Sequence, residues 1–246
     1  MIKAVDKIDI KTCKVNILYN PILCKIFSIY EMQRENFNCL LYNQLDKDCN
    51  VTAVILCFNG EINVSLNSEA DKDEIRDFLG AVGFISVFSN LRLFEKSNTG
   101  LSVKYAGSEK PHSNAKLLSS EDVAKCFDLI KENFEIDISF DEWFVDISYK
   151  LRHDKAAASY IGNEKIISLA LGMYKTDFSA VITSVCTDKS NRNNGFACDC
   201  VNKLINLFLC DNIKEIYAFC EEKLVSFYEN LKFKIDGSWH EYVRKI

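Results

Sequence analysis

The residues of this chain best suited to chemistry lie between positions 185 and 197, which read Val-Cys-Thr-Asp-Lys-Ser-Asn-Arg-Asn-Asn-Gly-Phe-Ala. The apolar run Phe178–Val185 leads into this segment, and Phe196–Cys210, which has helical spacing, follows it. When a loop joins a strand to a helix, the unpaired N–H groups and dipole of the first helical turn favour an anion. Gly195 permits a close backbone approach because it has no Cβ, and Arg192 adds a forked cation. The pattern predicts a phosphate site, although an ordinary turn with a surface arginine would have the same sequence.

Two other phosphate-binding patterns are absent from the sequence. No G-x-G-x-x-G follows a predicted strand, and no G-x-x-x-x-G-K-[ST] occurs. The chain therefore lacks the dinucleotide fingerprint and the Walker loop.

The segment resembles the acyl-CoA loop of the GCN5-related N-acetyltransferases. Five residues stand at that family's spacing: Val185, Thr187, Arg192, Gly195 and Ala197. After one predicted helix and one predicted strand, Phe227–Phe233 resembles the family's second signature, a Phe-Tyr followed by a helix end and a Gly-Phe. The resemblance covers roughly residues 101–246. Two positions depart from it, because Glu221 replaces the usual asparagine and Lys232 replaces the glycine.

The resemblance implies a fold, a cosubstrate and a set of binding residues. The fold is the acyl-CoA N-acyltransferase fold, of mixed α/β (α+β) class, whose mixed central sheet splays open where acyl-CoA enters. The cosubstrate is acetyl-CoA, and no metal is expected. The backbone of Val185, Cys186 and Thr187 is expected to pair with the pantetheine arm as an added strand would. The residues expected at the pyrophosphate are Arg192, Asn193, Asn194, Gly195, Phe196 and Ala197.

Tyr228 is the catalytic residue that the resemblance implies, as the proton donor to the departing thiolate. A phenol with a pKa of about 10 can protonate a thiolate whose thiol has a pKa of about 8.5 or somewhat higher. A core tyrosine with a hydrogen-bonded hydroxyl is the alternative interpretation. Cys186 is given no nucleophilic role. No pattern identifies a base that would assist the amine, and four residues remain candidates: Glu221, Glu222, Asp188 and His153.

These residues predict an N-acetyltransferase that transfers an acetyl group from acetyl-CoA to an amine by direct attack. The alternative is a non-catalytic acyl-CoA-binding module that senses or scaffolds, and a fold with neither ligand nor activity is a third possibility. The expected partner is a small-molecule or peptide amine, with no nucleic acid and no membrane. The sequence does not identify the amine, the length of the acyl group or the oligomeric state.

Composition agrees with a globular protein of the cytoplasm. The 246 residues are 48% hydrophobic and 26% charged, with a net charge of −5 that gives no sign of nucleic-acid binding. No apolar run approaches the ~18 to 20 residues of a membrane span, and the first seven residues contain no secretory apolar core. Eleven cysteines without a C-x-x-C pair favour reduced thiols over a zinc site or a disulfide framework.

Hydrophobic spacing predicts the elements that position the site. From Leu101 the order is strand, two helices, three strands, helix, strand, helix and two strands, which is the order of the acyltransferase fold. The last two strands, Phe233–Ile235 and Trp239–Val243, are predicted to form a hairpin across Asp236-Gly237. The helix after the loop is predicted to bury Ala197, Val201, Leu204 and Phe208 and to turn Asp199, Asn202, Lys203 and Asn206 to water.

Two domains are predicted, an N-terminal α/β domain at 1–98 and an acetyltransferase domain at 99–246. Within the first, a helix is predicted at Ile22–Met32, and Val51–Phe88 repeats an order of strand, strand, helix and strand without the Arg-x-x-Gly-x-Ala loop. One interpretation is a degenerate copy of the same fold that binds no cofactor. The other is that short alternating units recur by chance.

Overall fold

The computed structural model describes residues 1–5, 20–134, 138–163 and 165–244. The chain forms two compact units, each assembled from separate segments. Along the chain the first passage from one unit to the other lies between residues 102 and 103. Unit 1 comprises Met1–Ser102, Cys220–Lys223 and Ile235–Ile246, and unit 2 comprises Val103–Phe219 and Leu224–Lys234.

The described residues form twelve strands and six α-helices, and the predicted order of elements from Leu101 is confirmed except for the additional strand β7 and at its end. Strands β1, β2 and β7 were not predicted. In chain order the elements are β1 (Ile2–Ala4), α1 (Pro21–Gln33), β2 (Leu40–Leu45), β3 (Val51–Phe58), β4 (Glu61–Leu66), α2 (Lys72–Val82), β5 (Ser86–Ser89), β6 (Asn98–Tyr105), β7 (Lys116–Leu117), α3 (Phe127–Asn133), α4 (Phe140–Arg152), β8 (Ala157–Gly162), β9 (Ile166–Lys175), β10 (Ser179–Thr187), α5 (Phe196–Cys210), β11 (Glu215–Cys220), α6 (Val225–Asn230) and β12 (Phe233–Val243).

The predicted closing hairpin is wrong, because β12 is one strand that runs through Asp236 and Gly237. A two-residue hairpin turn of the usual kind requires left-handed backbone at its central residues. Neither Asp236 nor Gly237 has a positive φ. The second half of β12 pairs instead with β5, with Val243 opposite Ser86 and His240 opposite Ser89.

In unit 1 the strand order is β1-β2-β3-β4-β5-β12, antiparallel except for the parallel pair β4 and β5. The apolar run of β3 is buried from Val51 to Leu56, so both faces of the strand are covered. Helix α1 lies against β3 and β4, and α2 buries Ile75 and Leu79. The predicted turn at Asn59-Gly60 is confirmed, since both residues are left-handed, with φ of 50° and 80°.

In unit 2 the order is β6-β11-β10-β9-β8-β7, antiparallel from β10 to β7, with β10 and β11 parallel. Helix α5 lies against β8, β9 and β10. Its close approach requires Gly172, because a Cβ there would lie 2.5 Å from Phe208 Cζ. Helices α3 and α4 enclose a separate core with the sheet, formed by residues that include Ile130, Trp143 and Leu169.

The two units repeat one order of elements. In unit 1 the order β3-β4-α2-β5 joins an antiparallel pair to a parallel pair through a helix, and β9-β10-α5-β11 does the same in unit 2. No disulfide joins cysteines of the described ranges. No helix within those ranges is long and apolar enough to span a membrane.

Candidate functional site

The candidate site begins where β10 and β11 stop pairing. Four residue pairs join these parallel strands, from Ser179 and Glu215 to Ile182 and Ala218. Both strands continue past the last pair, β10 as far as Thr187. The sheet therefore opens between them, and the opening has main-chain groups along one edge.

A bulge in β10 lies at this opening. The register with β9 shifts between Thr183 and Cys186, so Ser184 and Val185 have no partner residue in β9. Ser184 has a φ of 46°, in the left-handed region that a non-glycine residue rarely adopts. Bulges of this kind re-aim backbone groups and are frequent beside functional sites. Ser184 and Val185 thus present peptide groups that neither neighbouring strand pairs in register.

At the next two positions, Cys186 and Thr187, the backbone carbonyls already accept hydrogen bonds from side chains. The Cys186 carbonyl accepts a hydrogen bond from Ser168 Oγ at 3.1 Å, and the Thr187 carbonyl accepts one from Arg192 Nε at 3.3 Å. Both Cys186 and Thr187 are buried, whereas Val185 is partly exposed. Among the three predicted pantetheine-binding positions, Val185 is the least buried residue. Ser184 was not predicted as a site residue, because no pattern in the neighbouring sequence indicates that its backbone is left-handed.

The loop after β10 is held by its own side chains. The Asp188 carboxylate caps the short 3₁₀ turn Lys189–Asn191 by accepting from Ser190 N at 3.0 Å. Asn194 Nδ2 donates to the carbonyls of Asn191 and Arg192, at 3.1 and 3.3 Å. Asn193 has a φ of 63° and is exposed. The loop is thus preformed.

Gly195 is the N-cap of α5 and has a φ of 79°. A Cβ added there would meet no protein atom within 4 Å, so the space beside it is open. No side chain caps α5, whereas Asn20, Asp71 and Ser139 cap α1, α2 and α4. Of the four described helices longer than ten residues, only the one after this loop lacks a side-chain cap. Its first turn, which includes the half-buried Phe196 and Ala197, therefore has N–H groups available for an anion.

Arg192 is exposed, and its guanidinium makes two hydrogen bonds that hold it across the loop. Besides Thr187, its guanidinium contacts Asn133, the last residue of α3, with 2.8 Å between Nη2 and Oδ1. Asn133 was not predicted, because the contact joins residues 59 positions apart.

Tyr228 lies in α6 and is 3% exposed. Its ring makes edge contacts with Phe233, at a centroid distance of 5.4 Å, and with Phe227, at 5.0 Å. These contacts fix the ring, while the assignment of its hydroxyl as proton donor stays a prediction.

The candidate bases differ in their surroundings. Hydrogen bonds from Ser190, followed by the Lys165 ammonium, hold the pKa of Asp188 well below its usual range, so this carboxylate remains ionised. Glu221 is exposed and pairs with Lys223 at 2.6 Å. His153 caps the C-terminus of α4 and is exposed, with its ring 4.3 Å from that of Tyr149. Glu222 is exposed in a 3₁₀ turn.

Cys186 is a poor nucleophile where it lies. Burial, together with the neighbouring Cys200, raises the pKa of its thiol to about 12. The thiolate, which is the reactive form, is therefore scarce at neutral pH. No cluster of three or more His, Cys, Asp or Glu side chains suited to a metal ion occurs within the ranges described.

No protein-family model and no curated protein sequence matches the chain. Several solved structures are similar over most or all of it. The GCN5-related N-acetyltransferase from Sphaerobacter thermophilus has a TM-score of 0.60 at 12% identity, covering 100% of this chain and 97% of that one. An acetyltransferase of the GNAT family from Colwellia psychrerythraea has a TM-score of 0.54 at 11% identity, covering 100% of both chains.

A third similar structure is the GCN5-related N-acetyltransferase-like protein from Streptococcus suis. Its TM-score is 0.55 at 14% identity, covering 88% of this chain and 93% of that one. Likeness at such identities is a likeness of fold, and it confirms the resemblance that the loop and the order of elements predicted. The chain therefore has the GCN5-related N-acetyltransferase fold, and its twelve described strands fit a duplication of that fold.

Proposed function

We propose that the chain is an acyl-CoA-dependent N-acyltransferase that transfers an acetyl group from acetyl-CoA to a small-molecule or peptide amine. The observation that carries the proposal is the combination of an open parallel pair and an uncapped helix. The peptide groups of Ser184 and Val185, which have no register partner in β9, lie on the strand that leads directly to the N–H groups at the start of α5. An extended amide arm ending in a pyrophosphate matches both features.

In the proposed reaction the amine nitrogen attacks the acetyl carbonyl carbon directly. An amide C–N bond forms as the thioester C–S bond breaks. Tyr228 donates its proton to the leaving thiolate, and the proton lost by the amine passes to a base or to water. The main chain of Ser184 and Val185 holds the pantetheine arm, and Arg192 with the first turn of α5 holds the pyrophosphate.

The cofactor part of the proposal is tested by Gly195→Ala. We expect calorimetry to give a micromolar dissociation constant for CoA with the wild-type protein, about −8 kcal/mol. A Cβ at Gly195 meets no protein atom, so it would project into the space that the phosphate needs. Gly195→Ala should weaken CoA binding at least about tenfold, which corresponds to roughly 1.4 kcal/mol.

Gly83→Ala is the control for backbone strain at a glycine with a positive φ. Gly83 follows α2 with a φ of 72°, and a Cβ there also meets nothing within 4 Å. Both variants place a Cβ on a residue with a positive φ, and the strain is larger at Gly83, whose ψ of 152° lies in a region that is nearly exclusive to glycine, whereas Gly195 has a ψ of −3°. Only Gly195 adjoins the proposed phosphate site. Unchanged CoA affinity in a folded Gly195→Ala protein would contradict the proposal.

The catalytic part is tested by Tyr228→Phe. Removing the proton donor should lower the release of CoA thiol from saturating acetyl-CoA and an accepted amine at least about tenfold, with CoA affinity unchanged. Tyr105→Phe is the control, because Tyr105 is also buried and its ring also contacts Phe233, at 5.5 Å. Full turnover in Tyr228→Phe would leave Tyr228 a packing residue. CoA binding without thiol release by the wild-type protein, over a broad panel of amines, would favour a binding module instead.

A further inference from the structure

Arg192 is held from both sides before any ligand is bound. Its Nε donates to the Thr187 carbonyl at 3.3 Å, and its Nη2 donates to Asn133 Oδ1 at 2.8 Å. Thr187 ends β10 and Asn133 ends α3, so the guanidinium ties the end of a strand to the end of a helix. Its charge has no carboxylate partner among the described residues.

The Asn133 amide is itself oriented by the helix. Its Nδ2 donates to the Leu129 carbonyl at 2.8 Å, one turn earlier in α3. With the amino group engaged there, the amide oxygen is the atom that faces Arg192. A chain of hydrogen bonds therefore runs from the α3 main chain through Asn133 to the guanidinium.

A guanidinium carries five N–H donors in one plane. Two are used by Thr187 and Asn133, which leaves three to meet an anion. A free arginine side chain loses about 2 kcal/mol of rotamer freedom when it is fixed. If the side chain is already fixed before binding, that loss does not reduce the binding free energy of the ligand.

We propose that Asn133 is a positioning residue that pre-orients Arg192 for the pyrophosphate of acyl-CoA, an inference that rests on the proposed function. Asn133 acts through Arg192 and does not itself contact the ligand. Binding of acyl-CoA is thereby coupled to the last turn of α3, which is 59 residues earlier in the chain.

A double-mutant cycle on CoA affinity tests this role. We expect Asn133→Ala to weaken CoA binding about threefold to tenfold, the effect of one lost hydrogen bond. In an Arg192→Ala background the same change should have no further effect, because the group that Asn133 positions is then absent. Asn133→Ser is a second variant in case the alanine protein is poorly folded.

Asn230→Ala is the matched control. Asn230 is likewise the last residue of a helix, α6, and is exposed. It should leave CoA affinity unchanged in both backgrounds. A merely structural role for Asn133 would lower affinity by the same factor with and without Arg192, and this additivity would overturn the inference.

Hydrogen exchange gives a second readout. The Phe134 amide donates to the Ile130 carbonyl at 2.9 Å and reports on the last turn of α3. Its exchange should slow on addition of CoA to the wild-type protein and should not slow in Asn133→Ala. If wild-type protein binds no CoA, the proposed function fails together with this inference. If CoA binds with neither coupling nor slowed exchange, only this inference fails.

Discussion

Left-handed backbone at single residues shapes both signatures of the site. Asn193 and Gly195 in the loop and Lys232 after α6 have φ values of 63°, 79° and 65°. Glycine adopts this region without a steric penalty, whereas a residue with a Cβ loses about 1 to 2 kcal/mol there. Lys232 occupies the position where the second signature usually has glycine, and its backbone retains the conformation that glycine favours.

Lys232→Gly should therefore stabilise the protein. The relief of strain exceeds the entropy that glycine loses on folding, so we expect the free energy of unfolding to rise by about 0.5 to 1 kcal/mol. Urea unfolding measures the change. Lys234→Gly is the control, because Lys234 is exposed in β12 and its φ is not positive. Glycine at this position should lower the free energy of unfolding by a similar amount. A loss of stability in Lys232→Gly would show that the lysine side chain stabilises the protein by more than the strain of its positive φ destabilises it.

Comparison of the two parallel pairs explains, at the scale of elements, why unit 1 has no equivalent opening. Pairing of β4 and β5 runs from Glu61 and Ser86 to Val64 and Ser89. Just beyond it, Asn90 Oδ1 accepts from Leu66 N at 2.9 Å and Asn90 Nδ2 donates to Leu66 O at 2.8 Å. The side chain thus satisfies the peptide groups with which a pantetheine arm would pair.

The helix of the same unit also disfavours a phosphate. The Asp71 carboxylate caps α2 by accepting from the N–H groups of Asp73 and Glu74, both at 3.0 Å. Those two residues add negative charge to the first turn. A phosphate there would meet an occupied N-terminus and like charges.

One CoA should therefore bind per chain. We expect a calorimetric stoichiometry near one for the wild-type protein, because among the described residues only those of unit 2 offer the opening followed by a long helix without a side-chain cap. The double variant Arg192→Ala, Gly195→Ala should lose this binding, with no weaker site uncovered. A second site, or one that survives the double variant, would show that unit 1 is a functional copy.

Sequence periodicity predicted much of this architecture, because apolar spacing reports directly on burial. In α5, Val201, Leu204 and Phe208 are buried as predicted, while Ala197 is half-buried. The opposite face was predicted to meet water and does so only in part. Asn202 and Asn206 on it donate to the carbonyls of His112 and Pro111, at 3.2 and 2.6 Å.

The loop residues could be proposed from the sequence because glycine and arginine have distinctive chemistry there, and their role in binding stays a prediction. Ser184, Asn133 and Asn90 could not be identified in the same way. Their importance depends on left-handed backbone or on contacts between residues that are distant in sequence, and neither leaves a local pattern. The order of elements was thus more predictable than single hydrogen bonds, such as that of Asn133 to Arg192 in unit 2 or those of Asn90 to Leu66 in unit 1.

At the scale of the whole molecule, the last strand completes the first unit. Tyr242 in β12 stacks on Phe94 with 4.4 Å between ring centroids and makes an edge contact with Phe84 at 5.9 Å. Residues near the C-terminus therefore hold residues near position 90, and the stability of unit 1 depends on both.

Tyr242→Ala should destabilise unit 1 by about 2 kcal/mol, through lost burial and lost ring contacts. Hydrogen exchange at Ser86–Ser89 should accelerate, since β12 pairs with these residues. Tyr149→Ala is the control, because Tyr149 is 43% exposed on α4 in unit 2 and should leave that exchange unchanged. Unaltered exchange in β5 of Tyr242→Ala would contradict the dependence.

The pairing of β5 with β12 has a consequence for synthesis. The ribosome delivers β5 well before β12, so Ser86 cannot meet Val243 until β12 has emerged as well. During that interval β5 presents an unsatisfied edge, which is a template for wrong pairing with other chains. Closing so long a loop also slows the final step, since its entropy must be lost before the strands gain their contacts. Unit 1 is thus completed only after the residues of unit 2 have been made, and a nascent chain that stalls before β12 carries an open sheet.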